Sequence, residues 1–243
     1  MSTYLDLFPV ELFDEIFVYL TCNDILKSFY GISNYINQII LQYQIYLVDL
    51  PSNNLTKKEF DLIYSKIDLN KIIKLKIGYD QYELSTKFLL KANSQQQSLT
   101  NLRSFWIDKT YRSTIFYLES INFNNLVSFR FDSNSSFPLV DRNCLFENLQ
   151  YLVGCSSRYF REQFEKVPKH LIFLHMFFNS IDDVSYFIDS NVNQLKSLGI
   201  GFDFRYNYNY VLFVSLIKTY QWKHLIQLNL KFFFSILIRN KYH

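Results

Sequence analysis

Histidine and cysteine are the residue types in this chain that could bind a metal or act as nucleophiles, and the sequence has four histidines and three cysteines. His170 and His175 are five positions apart, which is neither the spacing of a His-Glu-x-x-His zinc site nor that of a Cys/His finger. His170 and His224 each directly precede a leucine that begins a sequence repeat, and this position favours a turn. The histidines therefore predict no metal site.

The cysteine and acidic residues also lack the spacing of a catalytic site. Cys22, Cys144 and Cys155 form no Cys-x-x-Cys pair, and the sequence has no Gly-x-Ser-x-Gly or Gly-x-Gly-x-x-Gly motif. Asp182 and Asp183 stand at the predicted start of a helix, where carboxylates interact favourably with the helix dipole. The sequence therefore predicts a protein that is not an enzyme and has no metal or cofactor.

Composition and charge narrow the class of protein further. The chain has 243 residues, of which 49% are hydrophobic and 19% charged, as is typical of a folded globular protein. The net charge of +3 is too small to predict nucleic-acid binding. The N-terminus lacks the basic segment of a signal peptide, and no run approaches the roughly 20 apolar residues that span a bilayer. Since scattered cysteines fit a reducing compartment, we expect a soluble cytoplasmic or nuclear protein without membrane contact.

A six-residue pattern, apolar-x-x-apolar-x-apolar, recurs along most of the chain. A clear copy runs from Leu102 to Ile107 and reads Leu-Arg-Ser-Phe-Trp-Ile. Copies begin at Ile45, Ile72, Leu102, Leu126, Leu149, Leu171, Leu195 and Leu225. Their mean spacing is about 26 residues, and one copy has a defect because Gly154 occupies its last apolar position. The sequence therefore predicts a repeat architecture over residues 45–243.

Each copy predicts a short strand, since its alternating apolar side chains point inward. The ninth position of a copy is expected in a tight turn, where a polar side chain satisfies backbone groups. Seven of the eight ninth positions are polar, namely Asn53, Asp80, Thr110, Asn134, Ser157, Asn179 and Asp203, and the exception is Phe233. We expect Asn134 and Asn179 to be buried and hydrogen-bonded to the backbone.

The segments between the copies predict helices, because apolar residues recur at about i, i+3 and i+4. The predicted helices cover residues 57–66, 84–91, 113–121, 158–167, 181–190 and 210–220. This combination resembles the leucine-rich repeat, which implies an α/β solenoid of about eight irregular repeats with a parallel sheet on its concave face. Unrelated α/β structure with coincidental leucine spacing is the alternative. A closing helix is missing after Leu230, so Phe232 to Ile238 predict an uncapped apolar end.

Residues 5–43 do not follow the repeat and predict three short helices. Pro9 suits the first position of the first helix, and Thr21 with Asp24 is typical of a capping box for the second. Gly31 is expected to end the second helix, and Ser33 to cap the third. The predicted apolar stripes are Phe13, Ile16, Phe17 and Leu20 on the first helix and Ile32, Tyr35, Ile36, Ile39 and Ile40 on the third. We therefore expect a separate helical domain over residues 1–44.

This helical segment resembles the F-box. The family pattern appears as Phe8-Pro9-Val10-Glu11-Leu12, Ile16-Phe17-Val18-Tyr19-Leu20 and Asp24-Ile25-Leu26, with Phe8 where the family usually has leucine. The resemblance implies the substrate-recognition subunit of an SCF-type (Skp, cullin, F-box) ubiquitin ligase, which binds a Skp-type adaptor and, through it, a cullin scaffold. The implied adaptor-binding residues are Phe8, Pro9, Leu12, Ile16, Leu20 and Ile25. The alternative is a free-standing repeat scaffold whose N-terminal helices only cap the solenoid.

The third, fifth and seventh positions of each copy are expected to point away from the core, where they can contact a target. The candidate target-binding residues are Lys74, Lys76, Trp106, Arg130, Tyr151, Phe173, His175 and Phe177. Exposed aromatic side chains on one face often mark protein interfaces, and Trp106 and Phe173 are the expected anchors. Asp108 and Asp132 interrupt the basic residues, so the pattern favours a protein or peptide target over nucleic acid.

Overall fold

The structure is a computed structural model. It describes residues 4–43, 46–50, 56–78, 82–94, 99–108, 124–131, 148–155, 170–178, 184–185, 188–189, 191, 193–203, 215, 218 and 223–233. The chain divides into two compact units: unit 1 comprises residues 1–127 with 144–146, and unit 2 comprises residues 128–143 with 147–243. The N-terminal helices, for which the sequence predicts a domain of their own, share unit 1 with the first three strands.

Three short helices follow a 3₁₀ turn at Tyr4–Leu7, and they are α1 (Val10–Phe17), α2 (Cys22–Phe29) and α3 (Asn34–Gln42). The predicted capping box of α2 is confirmed. The Thr21 hydroxyl accepts from the Asp24 N–H (3.2 Å), and the Asp24 carboxylate accepts from the Thr21 N–H (3.3 Å). Gly31 follows α2 at a positive φ of 88°, and the Ser33 hydroxyl caps α3 by accepting from the Ile36 N–H. The sequence signals for helix ends are therefore confirmed here.

Two expectations for α1 are wrong in detail. Pro9 precedes the helix as its N-cap, with φ −66° and ψ 154°, because the proline ring fixes φ but leaves ψ extended. The stripe that faces the core consists of Phe13 and Phe17, which are both buried, whereas Ile16 is 38% exposed. The neighbouring helices therefore cover a narrower face of α1 than the apolar pattern predicts.

Aromatic rings form the core between these helices. The Phe17 ring centroid lies 5.3 Å from those of Phe29 and Tyr43 and 5.9 Å from that of Phe13. The rings are tilted or edge-on to one another, which is the arrangement that aromatic quadrupoles favour. Phe17 is thus in contact with rings from α1, α2 and the residue that follows α3.

The helices pack on the first strand of unit 1. The Asn23 side chain donates from Nδ2 to the Asp49 carbonyl oxygen (2.8 Å), and the Tyr46 hydroxyl donates to the Ile40 carbonyl oxygen. The Tyr43 and Tyr46 ring centroids are 5.6 Å apart. These contacts cover the strand with helical residues and join the helices to the sheet of unit 1.

The described strands of unit 1 are β1 (Tyr46–Asp49), β2 (Ile72–Gly78) and β3 (Ser104–Asp108), which pair in parallel and in sequence order. Two helices lie between them, α4 (Lys57–Lys66) and α5 (Tyr82–Ser94). The predicted helix over residues 57–66 is confirmed, and the one over 84–91 lies inside the longer α5. Leu75 of β2 pairs with Phe105 of β3, and both are buried, as the apolar pattern requires.

The described strands of unit 2 are β4 (Ser128–Phe131), β5 (Tyr151–Cys155), β6 (Phe173–Phe178), β7 (Ser197–Asp203) and β8 (Gln227–Phe233). They also pair in parallel and in sequence order. One row of paired residues runs through Phe129, Leu152, Leu174, Leu198 and Leu228. The first four are buried, but Leu228 on the last strand is 42% exposed. The expected apolar end at Phe232 to Ile238 extends beyond the described residues.

The defect in the repeat at Gly154 has a structural explanation. Gly154 occupies the buried row of unit 2 and pairs with Met176. A Cβ atom at Gly154 would lie 2.5 Å from Cε1 of Phe131. Phe131 is itself buried and stacks on Phe129 with 5.3 Å between ring centroids. The ring of residue 131 therefore fills the space that an apolar side chain at position 154 would take.

Most of the ninth positions, namely Asn53, Asp80, Thr110, Asn134, Ser157 and Asn179, lie outside the described residues. Asp203 and Phe233 are described, and they are the last residues of β7 and β8. The prediction of a turn at these two positions is wrong, because the parallel pairing of β7 with β8 continues as far as Asp203 and Phe233.

A buried asparagine nevertheless links two repeats, at a position that the sequence pattern does not single out. Asn191 is 1% exposed, and its Oδ1 accepts from the Leu171 N–H (3.2 Å) and from Gln194 Nε2 (2.8 Å). Its carbonyl oxygen accepts from the Leu195 N–H (3.1 Å). Asn191 therefore ties the segment before β7 to the segment before β6.

We expect Asn191→Leu to lower the free energy of unfolding of unit 2 by about 1–3 kcal/mol, because the buried Leu171 N–H loses its acceptor. Urea denaturation followed by circular dichroism measures this change. Asn193→Ala, at an exposed position two residues on, is the control and is expected to stay within about 0.5 kcal/mol of wild type. A leucine variant as stable as wild type would show that the amide link contributes nothing.

Parts of the remaining predicted helices are also described. Val184 and Ile188 are helical and buried, as the apolar stripe over residues 181–190 predicts. Residues 113–121 and 158–167, like Asp182 and Asp183, lie outside the described residues. The described chain is therefore a mixed α/β fold with parallel strands in sequence order within each unit, which is compatible with a solenoid-like α/β fold.

Candidate protein-interaction surfaces

The outer face of α1 leaves apolar side chains in contact with solvent. Leu12 and Ile16 are four positions apart and therefore lie on one face of the helix, with Leu12 half-buried and Ile16 exposed. Pro9 and Phe8 are exposed just before the helix, and Leu20 after it is half-buried. We call these five residues the α1 surface. They are five of the six positions that the F-box resemblance implies for adaptor binding.

Ile25, the sixth implied position, is not part of this surface. It lies on α2 and is only 1% exposed, so the expected docking set must be corrected. Ile25 packs in the interior of unit 1 and is not exposed beside the other five residues. The F-box resemblance implied Ile25 from a sequence motif, but a motif alone does not tell which side of a helix is covered.

Further exposed apolar side chains adjoin the α1 surface in sequence, and they are Leu7, Val10, Val18 and Tyr19. Tyr19 is 86% exposed, which is unusual for a large aromatic residue in a protein with a well-formed core. None of these four was singled out as a contact residue from the sequence. The sequence did contain a signal for their exposure, because none of the four belongs to the apolar stripe predicted for the first helix. Exposed apolar residues that accumulate in one segment are typical of an interaction surface.

In unit 1, Lys76 lies between an acid and an aromatic ring. Its Nζ is 3.6 Å from Oδ2 of Asp49 and 4.2 Å from the ring centroid of Trp106. These residues occupy one row across the sheet, since Asp49 pairs with Lys76 and Lys76 pairs with Trp106. Lys76 and Trp106 are half-buried, whereas Lys74 on the same strand is exposed. The structure therefore brings the predicted residues Lys76 and Trp106 together and leaves Lys74 accessible to a partner.

In unit 2, three predicted target-binding residues form a continuous set of rings. Tyr151 and Phe173 pair across β5 and β6, with ring centroids 5.8 Å apart. Phe173 stacks on His175 with 4.0 Å between centroids and 22° between planes. Tyr151 is 40% exposed, and the other two rings are half-buried. We call Tyr151, Phe173 and His175 the ring platform. Phe177 follows on β6, but its side chain lies outside the described residues.

Hydrogen bonds and a glycine fix the position of His175. Its Nε2 lies 3.0 Å from the Ser197 hydroxyl, which donates to Oε1 of Gln227 at 3.3 Å. Since the hydroxyl has one hydrogen, this arrangement makes Nε2–H of His175 the donor to Ser197. A Cβ atom on Gly199, the residue that pairs with His175 on β7, would lie 2.6 Å from Cγ of the imidazole. The absence of a side chain at Gly199 therefore leaves room for the imidazole of His175.

Arg130 on β4 is exposed and lies in the same row across the sheet as His175 of the ring platform. It pairs with Val153, which in turn pairs with His175. A separate groove of about 400 Å³ lies in unit 2 and is lined by Asn148, Gln150, His170, Ile172 and Gln194. Its lining consists mainly of neutral amides with one imidazole, so it presents hydrogen-bonding groups rather than a nucleophile.

Burial raises the pKa of the Cys22 thiol, and burial together with Cys22, Tyr43 and Asp68 raises the pKa of the Tyr46 hydroxyl. Both groups therefore stay protonated at neutral pH, and neither is an activated nucleophile. Among the described residues, no cluster of three or more histidine, cysteine or acidic side chains is placed to hold a metal ion. Within the same part of the chain, every helix is too short or too polar to cross a membrane.

Comparison of the chain with protein-family models, with curated proteins and with solved structures gives no match.

Proposed function

We propose that the protein is the substrate-recognition subunit of an SCF-type ubiquitin ligase, in which the N-terminal helices bind a Skp-type adaptor and the repeats bind a protein target. The observation that carries the proposal is the α1 surface. Three short helices bury their aromatic core yet leave Pro9 and Ile16 exposed, in positions of the F-box pattern. A helix that presents apolar side chains outward is suited to bind in a hydrophobic groove.

The second part of the function follows from the parallel strands. Side chains on the outward rows of a regular sheet are held at fixed positions, so they suit recognition of a target. The adaptor-bound helices would hold that target near the catalytic partners of the ligase and raise its effective concentration. The proposed partners are thus the adaptor, a cullin scaffold reached through it, and a protein substrate.

Binding of the purified full chain to a Skp-type adaptor tests this proposal. We expect Ile16→Ala and Leu12→Ala each to weaken binding by about 1–3 kcal/mol, measured by calorimetry, because each removes an apolar contact. Lys87→Ala, at an exposed position on α5, is the matched control and is expected to bind like wild type. Wild-type protein that fails to bind at about 50 μM adaptor would contradict the proposal.

A second candidate is a free-standing repeat scaffold in which the helices only cap the first strand. The contacts of Asn23 with Asp49 and of Tyr46 with Ile40 favour it, since they shield β1. The two functions differ in one measurement. A scaffold whose helices only cap the sheet needs no adaptor, so the absence of adaptor binding by an otherwise folded protein would favour this second candidate.

A further inference from the structure

The ring platform of unit 2 is built as a rigid surface. Phe173 lies between Tyr151 and His175, and His175 is held in turn by Ser197 and Gln227. Rings that are already fixed lose little conformational entropy when a partner binds, so such a surface is well suited to recognition. The flat face of the Phe173–His175 stack favours a planar apolar group on the partner.

The positive charge of Arg130, close to the ring platform, indicates which kind of partner the surface would bind. Arg130 is exposed and supplies a permanent positive charge on the outward face of β4. Arg130 lies two strands from His175 in the pairing register. Two strand spacings are about 10 Å, which is the length of about three residues of extended chain. A guanidinium group at that distance favours a carboxylate on the partner.

We propose that the ring platform and Arg130 together bind an extended acidic peptide segment that places an aromatic side chain on the platform and a carboxylate about three residues away at Arg130. The inference rests on the proposed function, because it names the class of target that the repeats would take. The surface is distinct from the α1 surface, so the two can be tested separately.

Single-stranded nucleic acid also stacks on aromatic rings, but it needs several basic residues along its backbone. The described outward face offers one arginine beside the platform. The peptide is therefore the occupant that the charge of this face favours, and an oligonucleotide serves as a competitor in the test.

Selection from a phage-displayed library of random 12-residue peptides tests the inference with the full chain. We expect enriched peptides to carry tryptophan, tyrosine or phenylalanine with an acidic residue two to four positions away. Fluorescence anisotropy with the enriched peptides should then show binding about tenfold weaker for Phe173→Ala. For Arg130→Gln we expect binding about threefold to tenfold weaker and less sensitive to salt. Lys218→Ala, at an exposed helical position of unit 2, is expected to bind like wild type.

Tyr151→Ala provides a second test, because Tyr151 is the most exposed ring and its removal should leave the fold intact by circular dichroism. We expect this variant also to weaken peptide binding several-fold. The inference is overturned by a selection that enriches nothing, by enriched peptides that bind wild type and all three platform and arginine variants alike, or by a (dT)12 oligonucleotide that binds better than the peptides. Adaptor binding by the same variants separates the two proposals: if it is retained while peptide binding is absent, this inference fails and the proposed function stands.

Discussion

Phe17→Ala is expected to lower the free energy of unfolding of unit 1 by about 3–5 kcal/mol, which is a large part of the stability of a small domain. The side chain is 1% exposed and touches the rings of Phe13, Phe29 and Tyr43. Truncation to alanine removes these contacts and leaves a cavity where α1, α2 and the end of α3 meet. Because the surrounding side chains are themselves buried and packed, they can move only partly into that space.

Urea denaturation of the full chain, with near-ultraviolet circular dichroism to follow the aromatic rings, measures this loss. Tyr19→Ala is the matched control, since Tyr19 is another aromatic residue only two positions on but is 86% exposed. We expect it to change stability by no more than about 0.5 kcal/mol. If the two alanine variants unfold at the same urea concentration, the aromatic core does not stabilise the helices as described.

Phe131→Ala is expected to destabilise unit 2 by about 3–5 kcal/mol, because the buried ring fills the space beside Gly154. Gly154→Leu in the wild-type background is expected to cost about 1–3 kcal/mol, since its Cβ would lie 2.5 Å from that ring. The double variant should be more stable than the sum of the two losses predicts, by about 0.5–3 kcal/mol, because the new leucine then occupies the vacated space.

Thermal or urea denaturation of the four proteins in this cycle gives the interaction energy directly. Additive losses, within about 0.5 kcal/mol, would mean that Phe131 and residue 154 do not compete for one space. The cycle thus tests whether the broken apolar pattern at Gly154 is compensated by its neighbour across the sheet.

Local signals in the sequence predicted the positions of strands and helix ends well. The apolar repeat predicted strands that the structure has at β1 to β8, and Thr21, Gly31 and Ser33 act as the helix boundaries they were expected to be. These predictions succeed because strand period and capping depend on neighbouring residues in the chain. The structure adds the parallel register in which successive repeats pair.

Features that depend on which elements pack together were predicted less well. Ile16 and Ile25 are both positions of the F-box pattern, yet one is exposed and the other buried, because only tertiary packing decides which face is covered. Asn191 could not be singled out, since its role depends on the Leu171 N–H twenty residues earlier in the chain. The ring platform was predicted residue by residue, but its stacking and its support by Ser197 come from three different strands.

The order of strands in unit 2 determines where its local unfolding can begin. Each strand pairs only with the strands before and after it, so disruption at one end need not disturb the other, and such arrays fray from their ends. Leu228 on β8 is 42% exposed where the residues of the same row on β5 to β7 are fully covered. Strand β8 is held by β7 alone among the described strands, so we expect it to be an end from which unit 2 frays. Gln227 would leave with it, and the imidazole of His175 would lose the outermost link of its hydrogen-bond chain while the stack on Phe173 persists.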